Sequence, residues 1–152
     1  MLYYLDTSVL LKLYFQESGS ASMEHLVATP GVQLAISTLA VVEFRAAVRA
    51  QQRRTNLSAE FAAEVLGHFG QKLGTVLIRQ VLSDAVIEVA ELLLDRHPLR
   101  APDAIQLGGC VVLGQTLRPD PPIFTCSDGA LLAAARAEHI PCWNPAAAAP
   151  PG

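Results

Sequence analysis

Short apolar runs, each too brief for a helix, alternate with capped, helix-length segments from end to end of the chain. The strand-like runs are Leu2–Leu5, Val32–Ile36, Val76–Leu82, Ile123–Cys126 and Pro141–Trp143. Helices are expected over Val9–Phe15 behind Asp6-Thr7-Ser8, over Ser20–Ala28, and from Ser37 or Thr38 to about Arg53. Further helices are expected from Ser58 to about Gly74, Ser83 to Arg96, Pro102 to about Gly114, and Asp128 to about His139. Most begin on Ser, Thr or Asp, the side chains that cap a helix N-terminus, and Pro102 suits a first helical turn. Pro30-Gly31 reads as a turn, His97-Pro98 as a helix stop, and Arg118–Pro122 as a rigid loop. Strands alternating with helices predict a three-layer α/β sandwich, its central, mostly parallel sheet flanked by helices. In such sheets a ligand site lies beyond the carboxyl ends of the strands.

At 152 residues the chain suits one domain, expected over residues 1–145, with a flexible Ala- and Pro-rich tail over 146–152. Hydrophobic residues make up 51% and charged ones 16%, which argues against disorder. No apolar run approaches the ~18 residues of a membrane span. Asp6 and Lys12 interrupt the apolar start, so no signal-peptide layout is present and a cytoplasmic protein away from membranes is expected. Cys110, Cys126 and Cys142 show neither disulfide nor zinc spacing and are read as small buried hydrophobes. His25, His68, His97 and His139 show no ligand spacing. The net charge of −3 argues against binding nucleic acid by charge alone. Handling RNA would need bound cations, whereas an apolar, acidic chain could also prefer a protein partner.

Four carboxylates sit in unusual places. Asp6 directly follows the first strand, Asp128 follows a later strand by two residues, and Asp103 lies just after Pro102 in a first helical turn. Glu43 lies one turn into the long helix, within the apolar stretch Leu39–Phe44. Strand ends and helix starts can meet at one sheet edge, which would gather all four. Each also has a plainer reading. Asp6 and Asp128 could simply cap helices, Asp103 could favour the positive helix end, and Glu43 could pair with Arg45 or Arg100. Clustered carboxylates repel, so they need basic partners or hard cations to hold them together. Mg²⁺ or Mn²⁺ on carboxylate oxygens can activate water and stabilise charge on a phosphodiester.

These residues carry a resemblance. Tyr4-Leu5-Asp6-Thr7-Ser8-Val9-Leu10-Leu11-Lys12-Leu13-Tyr14 resembles the opening of VapC-type PIN domains, the toxin ribonucleases of VapBC toxin–antitoxin pairs. Ser37 to Phe44 with Glu43 resembles their second motif, Leu99–Leu107 with Asp103 their third, and Phe124–Leu132 with Asp128 their fourth. Ile140–Pro145 resembles their usual ending, so the likeness spans about residues 2–145 in family order. It implies a PIN-like three-layer fold and a metal-dependent endoribonuclease that uses Mg²⁺ or Mn²⁺. It also implies an RNA substrate, inhibition by a cognate antitoxin, and homodimers. Asp6, Glu43, Asp103 and Asp128 would form the acidic, metal-holding catalytic site. Asp6 and Asp103 would be the main ligands, Glu43 would act directly or through water, and Asp128 would close the far side. Thr7 or Ser8 would orient Asp6 from behind. Two departures stand out: Cys126 where Thr or Ser is frequent, and Gly108-Gly109 in an otherwise Ala-rich stretch.

Arg45, Arg49 and Arg53 share one face of the long helix, roughly 80 to 160° away from Glu43. The stripe could track an RNA backbone or be a solvated face, and Arg54 adds to it. Arg100 suits a phosphate contact or an ion pair, and Lys12 is read first as a solvated side chain and second as a functional one. The apolar residues of the segment from Ser8 to Ala28 divide between core and a possible groove for an antitoxin helix. Two other functions compete. A haloacid-dehalogenase-type phosphatase needs a second Asp two residues after the first, where this chain has Ser8. A non-catalytic PIN-fold binding module acting through a protein partner would tolerate loss of the acids, yet all four are intact.

Overall fold

The structure, a computed structural model, describes residues 1–117 and 120–151. Its elements run β1 (Leu2–Leu5), α1 (Thr7–Leu11), α2 (Ser20–Ala28), β2 (Gln33–Ser37), α3 (Thr38–Thr55) and α4 (Ala59–Thr75). There follow β3 (Leu77–Gln80), α5 (Asp84–Arg96), α6 (Ala101–Thr116), β4 (Ile123–Thr125), α7 (Gly129–Ala137) and β5 (Cys142–Trp143). The five strands pair in the order β3-β2-β1-β4-β5, and every pairing is parallel. The chain builds β2 and β3 outward on one side of β1, then crosses back to build β4 and β5 on the other. Neighbouring strands that leave in opposite directions open a crevice at their carboxyl ends, here between β1 and β4.

The period-two alternation of strand side chains separates two cores. Tyr3, Leu5, Leu34 and Ile36 face one layer and pack with Val9, Leu10, Met23, Phe44 and Phe69 of α1 to α4. Tyr4, Ala35 and Phe124 face the other and pack with Ala90, Leu93, Leu107 and Leu131 of α5 to α7. The expected three layers are therefore present, and the sheet is wholly parallel.

Several details matter for the site. α1 ends at Leu11, earlier than the expected Phe15. Beyond Leu11 the backbone tightens into three-residue turns, with the Leu13 N–H donating to the Leu10 carbonyl at 3.1 Å and the Tyr14 N–H to the Leu11 carbonyl at 3.0 Å, and Ser20 Oγ donates to the Phe15 carbonyl at 3.1 Å. Gly108 and Gly109 let α6 approach its neighbours closely. A Cβ on Gly108 would stand 3.1 Å from the Val86 carbonyl oxygen of α5, and one on Gly109 would collide with the Tyr4 hydroxyl of β1. Beyond β5, Trp143 Nε1 donates to the Ala148 carbonyl at 3.0 Å, and the Tyr3 hydroxyl donates to the Pro151 carbonyl at 2.8 Å. Arg118 and Pro119 of the expected rigid loop lie outside the described residues. Among the described residues, no helix is long and apolar enough to cross a membrane.

Candidate active site

Asp6 is the first residue past β1, and its N–H still joins the sheet by donating to the Thr125 carbonyl of β4 at 3.0 Å. Its carboxylate turns back to cap α1, Oδ2 accepting from the Ser8 N–H at 3.0 Å. The Cys126 thiol lies 3.8 Å from the same oxygen. Only 7% of Asp6 is exposed. Burial raises its pKa, hydrogen bonds from Ser8 oppose the rise, and the charge of Glu43 adds to it. Among the described residues, the ion pairs involve other carboxylates, so Asp6 is a buried acid without a counter-charge. A charge in that situation costs several kcal/mol unless a cation joins it.

Glu43 reaches the same edge from α3. Ser37 at the end of β2 caps that helix, its Oγ accepting from the Leu39 N–H at 3.0 Å. One Glu43 oxygen, Oε2, accepts from the Thr7 hydroxyl at 2.6 Å and from Gln106 Nε2 at 2.6 Å. Gln106 Nε2 also donates to Thr7 Oγ1 at 3.1 Å, which closes a triangle of side chains from α1, α3 and α6.

Asp103 lies in the first turn of α6. Arg100, at the cap position of that helix, grips it with Nε 2.8 Å from Oδ2 and Nη2 3.3 Å from Oδ1. The Arg100 side chain is 79% exposed and that of Asp103 19%. The hydrogen bonds and then the charge of Asp103 raise the pKa of Arg100, and the charges of Asp128 and Glu43 add to the rise. Three acids thus lie within electrostatic reach of one guanidinium. Asp128 caps α7, its Oδ1 accepting from the Leu131 N–H at 2.9 Å, and stands exposed at the rim.

The fold therefore brings Asp6, Glu43, Asp103 and Asp128 to one region at the carboxyl edge of the sheet. Among the described residues, no three His, Cys, Asp or Glu side chains stand close enough to form a metal cage. The donors nevertheless fit a hydrated hard cation. Mg²⁺ usually keeps several waters and takes only one or two protein carboxylates, so a closed cage is not required. The offered ligands are oxygens. Burial first and the Asp6 charge second push the Cys126 thiol up to about 12, so it stays protonated and offers no thiolate to a softer metal. Gln106 Oε1 and Ser127 Oγ are buried without a partner, as atoms awaiting water or ligand would be.

Other expected residues divide. Ser8 orients Asp6, whereas the Thr7 hydroxyl goes to Glu43. Arg45 is exposed, and Glu43 is held by neutral partners instead of Arg45 or Arg100. Arg53 is exposed, and half-buried Arg49 donates to Gln52 at 2.9 Å. Lys12 departs from its solvated reading. It sits at the end of α1, only 7% exposed, with Nζ 3.4 Å from Glu17 Oε2. A long stem can be enclosed while its ammonium reaches a partner. Cys110 and Cys126 are buried as expected, and Cys142 is half-buried. Gln106, 1% exposed, is the site residue whose role the sequence concealed. Its available signal was a polar side chain three residues after Asp103, among Ala104, Ile105 and Leu107.

No family model and no curated protein matches the chain. Solved structures do share its architecture. VapBC2 from Rickettsia felis aligns over 95% of this chain and 98% of its own, with a TM-score of 0.64 and 14% identity. A toxin–antitoxin complex from Klebsiella pneumoniae aligns over 94% and 97%, with a TM-score of 0.65 and 17% identity. VapC20 from Mycobacterium tuberculosis, described as a sarcin–ricin loop cleaving toxin, aligns over 88% and 95%, with a TM-score of 0.63 and 19% identity. The chain has a PIN-like α/β fold. Identities this low speak to architecture alone. The PIN fold sets Asp6 and Asp128 on either side of the β1–β4 crevice, with Glu43 and Asp103 brought in from α3 and α6.

Proposed function

We propose that this PIN domain is a divalent-cation-dependent endoribonuclease and the toxin of a toxin–antitoxin pair. The observation that carries the reading is Asp6, a buried carboxylate with no counter-charge among the described residues, at the switch point of a parallel sheet. A buried acid whose pKa is raised, standing in such a crevice, is a candidate for chemistry. A bound Mg²⁺ or Mn²⁺ supplies an activated water and neutralises charge on the phosphodiester. Asp6 and Asp103 are the residues to hold it, and Glu43 offers its Oε1 directly or through water. Asp128 acts from the rim on metal or waters, and Ser8 keeps the Asp6 carboxylate oriented. Arg100 is exposed enough to leave Asp103 and meet a phosphate. A cation at the site also lets a chain of net charge −3 accept RNA.

The toxin role and the partner are suggested by the proteins that share the fold, of which one is a toxin–antitoxin complex and another a sarcin–ricin loop cleaving toxin. Leu13, Tyr14 and the exposed Val27 line a cavity with His68, which suits the apolar face of an antitoxin helix. A homodimer is part of the same proposal and is checked by light scattering. One observation favours a second reading, a non-catalytic binding module: no metal cage stands preformed among the described residues.

The test is cleavage of structured RNAs with Mg²⁺ or Mn²⁺, with and without chelator, beside Asp103→Asn. That substitution removes charge at nearly constant shape. Metal-dependent cleavage lost in the variant supports the nuclease. Cleavage that survives in Asp103→Asn counts against the site. No cleavage by folded, antitoxin-free protein favours the binding module.

A further inference from the structure

The buried amide of Gln106 is not explained by packing. α6 offers this position to the interior, where its neighbours Ala104 and Leu107 are fully enclosed. A Gln there gives up hydration of both its polar ends, which is unfavourable unless each finds a partner. One end does. Nε2 donates to Glu43 Oε2 at 2.6 Å and lies 3.1 Å from Thr7 Oγ1, and the Thr7 hydroxyl donates to the same Glu43 oxygen at 2.6 Å. The amide orientation follows from chemistry, since the reverse would set its carbonyl oxygen against a carboxylate oxygen. The other end, Oε1, is buried without a partner.

We infer that Gln106 is a positioning residue that fixes the Glu43 carboxylate for cation binding, with Thr7 as the second arm of the clamp; this rests on the nuclease reading above. The consequence lies in which oxygen is left. Both donors fall on Oε2, and among the described residues Oε1 accepts no hydrogen bond. Glu43 sits on α3, whereas Gln106 and Asp103 share α6, three residues apart and on one face. The clamp therefore ties the Glu43 oxygen available for ligation to the helix that carries Asp103. Without it, a Glu side chain with three rotatable bonds samples several rotamers, and ordering it must come out of the cation's binding energy. Charge-assisted hydrogen bonds to a carboxylate are the strong kind, so two of them on one oxygen suffice to hold it.

The experiment is a double-mutant cycle between Gln106→Met and Glu43→Gln, read by Mn²⁺ affinity from electron paramagnetic resonance and by RNA cleavage. Met keeps the volume and removes both hydrogen bonds. Thr7→Val is the second variant, because it breaks one arm from a half-buried position should Gln106→Met fail to fold. Removal of such an outer partner typically weakens metal affinity or activity about 10- to 100-fold. We expect a loss of that order in Gln106→Met, falling on Mn²⁺ affinity and kcat with KM for RNA unchanged. A smaller loss is expected in Thr7→Val, with recovery in Thr7→Ser. In the Glu43→Gln background, Gln106→Met should add almost nothing. Equal losses in both backgrounds, tracking the melting temperature, would overturn the inference and make Gln106 a packing residue. The nuclease reading fails separately, if wild-type protein binds Mn²⁺ and cleaves no RNA; the Mn²⁺ cycle then still decides the clamp. Wild-type protein that does not bind Mn²⁺ overturns both.

Discussion

Asp6 and Glu43 form the inner half of the acidic site, and Asp103 and Asp128 form the outer half. The inner pair is held by neutral groups: the Ser8 N–H and Cys126 thiol on one side, Thr7 and Gln106 on the other. The outer pair stands at helix starts, half-buried in Asp103 and exposed in Asp128, with the exposed cation of Arg100 at hand. Both Asp6 and Asp128 cap a helix, so capping alone does not separate structural from chemical acids. Burial does. At the rim, solvent or an arginine can balance a charge, whereas among the described residues Asp6 is enclosed with no counter-charge beside it.

The largest expected difference follows from that contrast. Asp6→Asn should abolish Mn²⁺ binding and reduce RNA cleavage to the level seen with chelator, while Asp128→Asn should weaken both about 10- to 100-fold. Without metal, Asp6→Asn should also melt higher than wild type at neutral pH, since Asn keeps the cap and removes the buried charge. The sign follows from linkage. The folded-state pKa of Asp6 is raised, so its stabilising contribution is complete below the unfolded value and is lost as pH rises through the folded one. The advantage of Asn should thus shrink on acidification, and Mn²⁺ affinity should climb across the same raised window as Asp6 gives up its proton.

Smaller effects sharpen the comparison. Gly109→Ala should lower stability by about 1–3 kcal/mol, because α6 must move off Tyr4 and carry Asp103 and Gln106 with it. Thermal melts check this, and activity should fall along with stability. Arg100→Ala should leave the melting temperature unchanged and raise Mn²⁺ affinity severalfold, as Asp103 loses its competing cation. An unchanged affinity would show that Arg100 does not compete. Smallest of all, Cys126 should resist alkylation in the native protein at pH 8, since its thiol is pushed up to about 12. Rapid labelling would show that the inner half is open to solvent.

The layered fold was legible because alternation, caps and turns agree locally along the chain. Ser37, Ser58 and Asp128 cap the helices their positions foretold. Gly108-Gly109, a departure from an Ala-rich stretch, stands where α6 comes close to Val86 and Tyr4. Less was legible where a side chain's partner lies far along the chain. Thr7 meets Glu43 across 36 residues and Gln106 meets it across 63, and no local spacing encodes either contact. Lys12 was misread for a related reason. A lysine is solvated by default, and its enclosure depends on how the turn after α1 folds back.

Cleavage of a structured RNA by wild-type protein and Asp6→Asn, side by side with Mn²⁺ and with chelator, tests the central claim most directly when melting curves accompany it. The account predicts that wild type cleaves only with Mn²⁺, while Asp6→Asn is folded, melts higher in the absence of metal, and is silent. Cleavage by Asp6→Asn at the wild-type rate, or no metal-dependent cleavage by folded wild-type protein free of antitoxin, would contradict it.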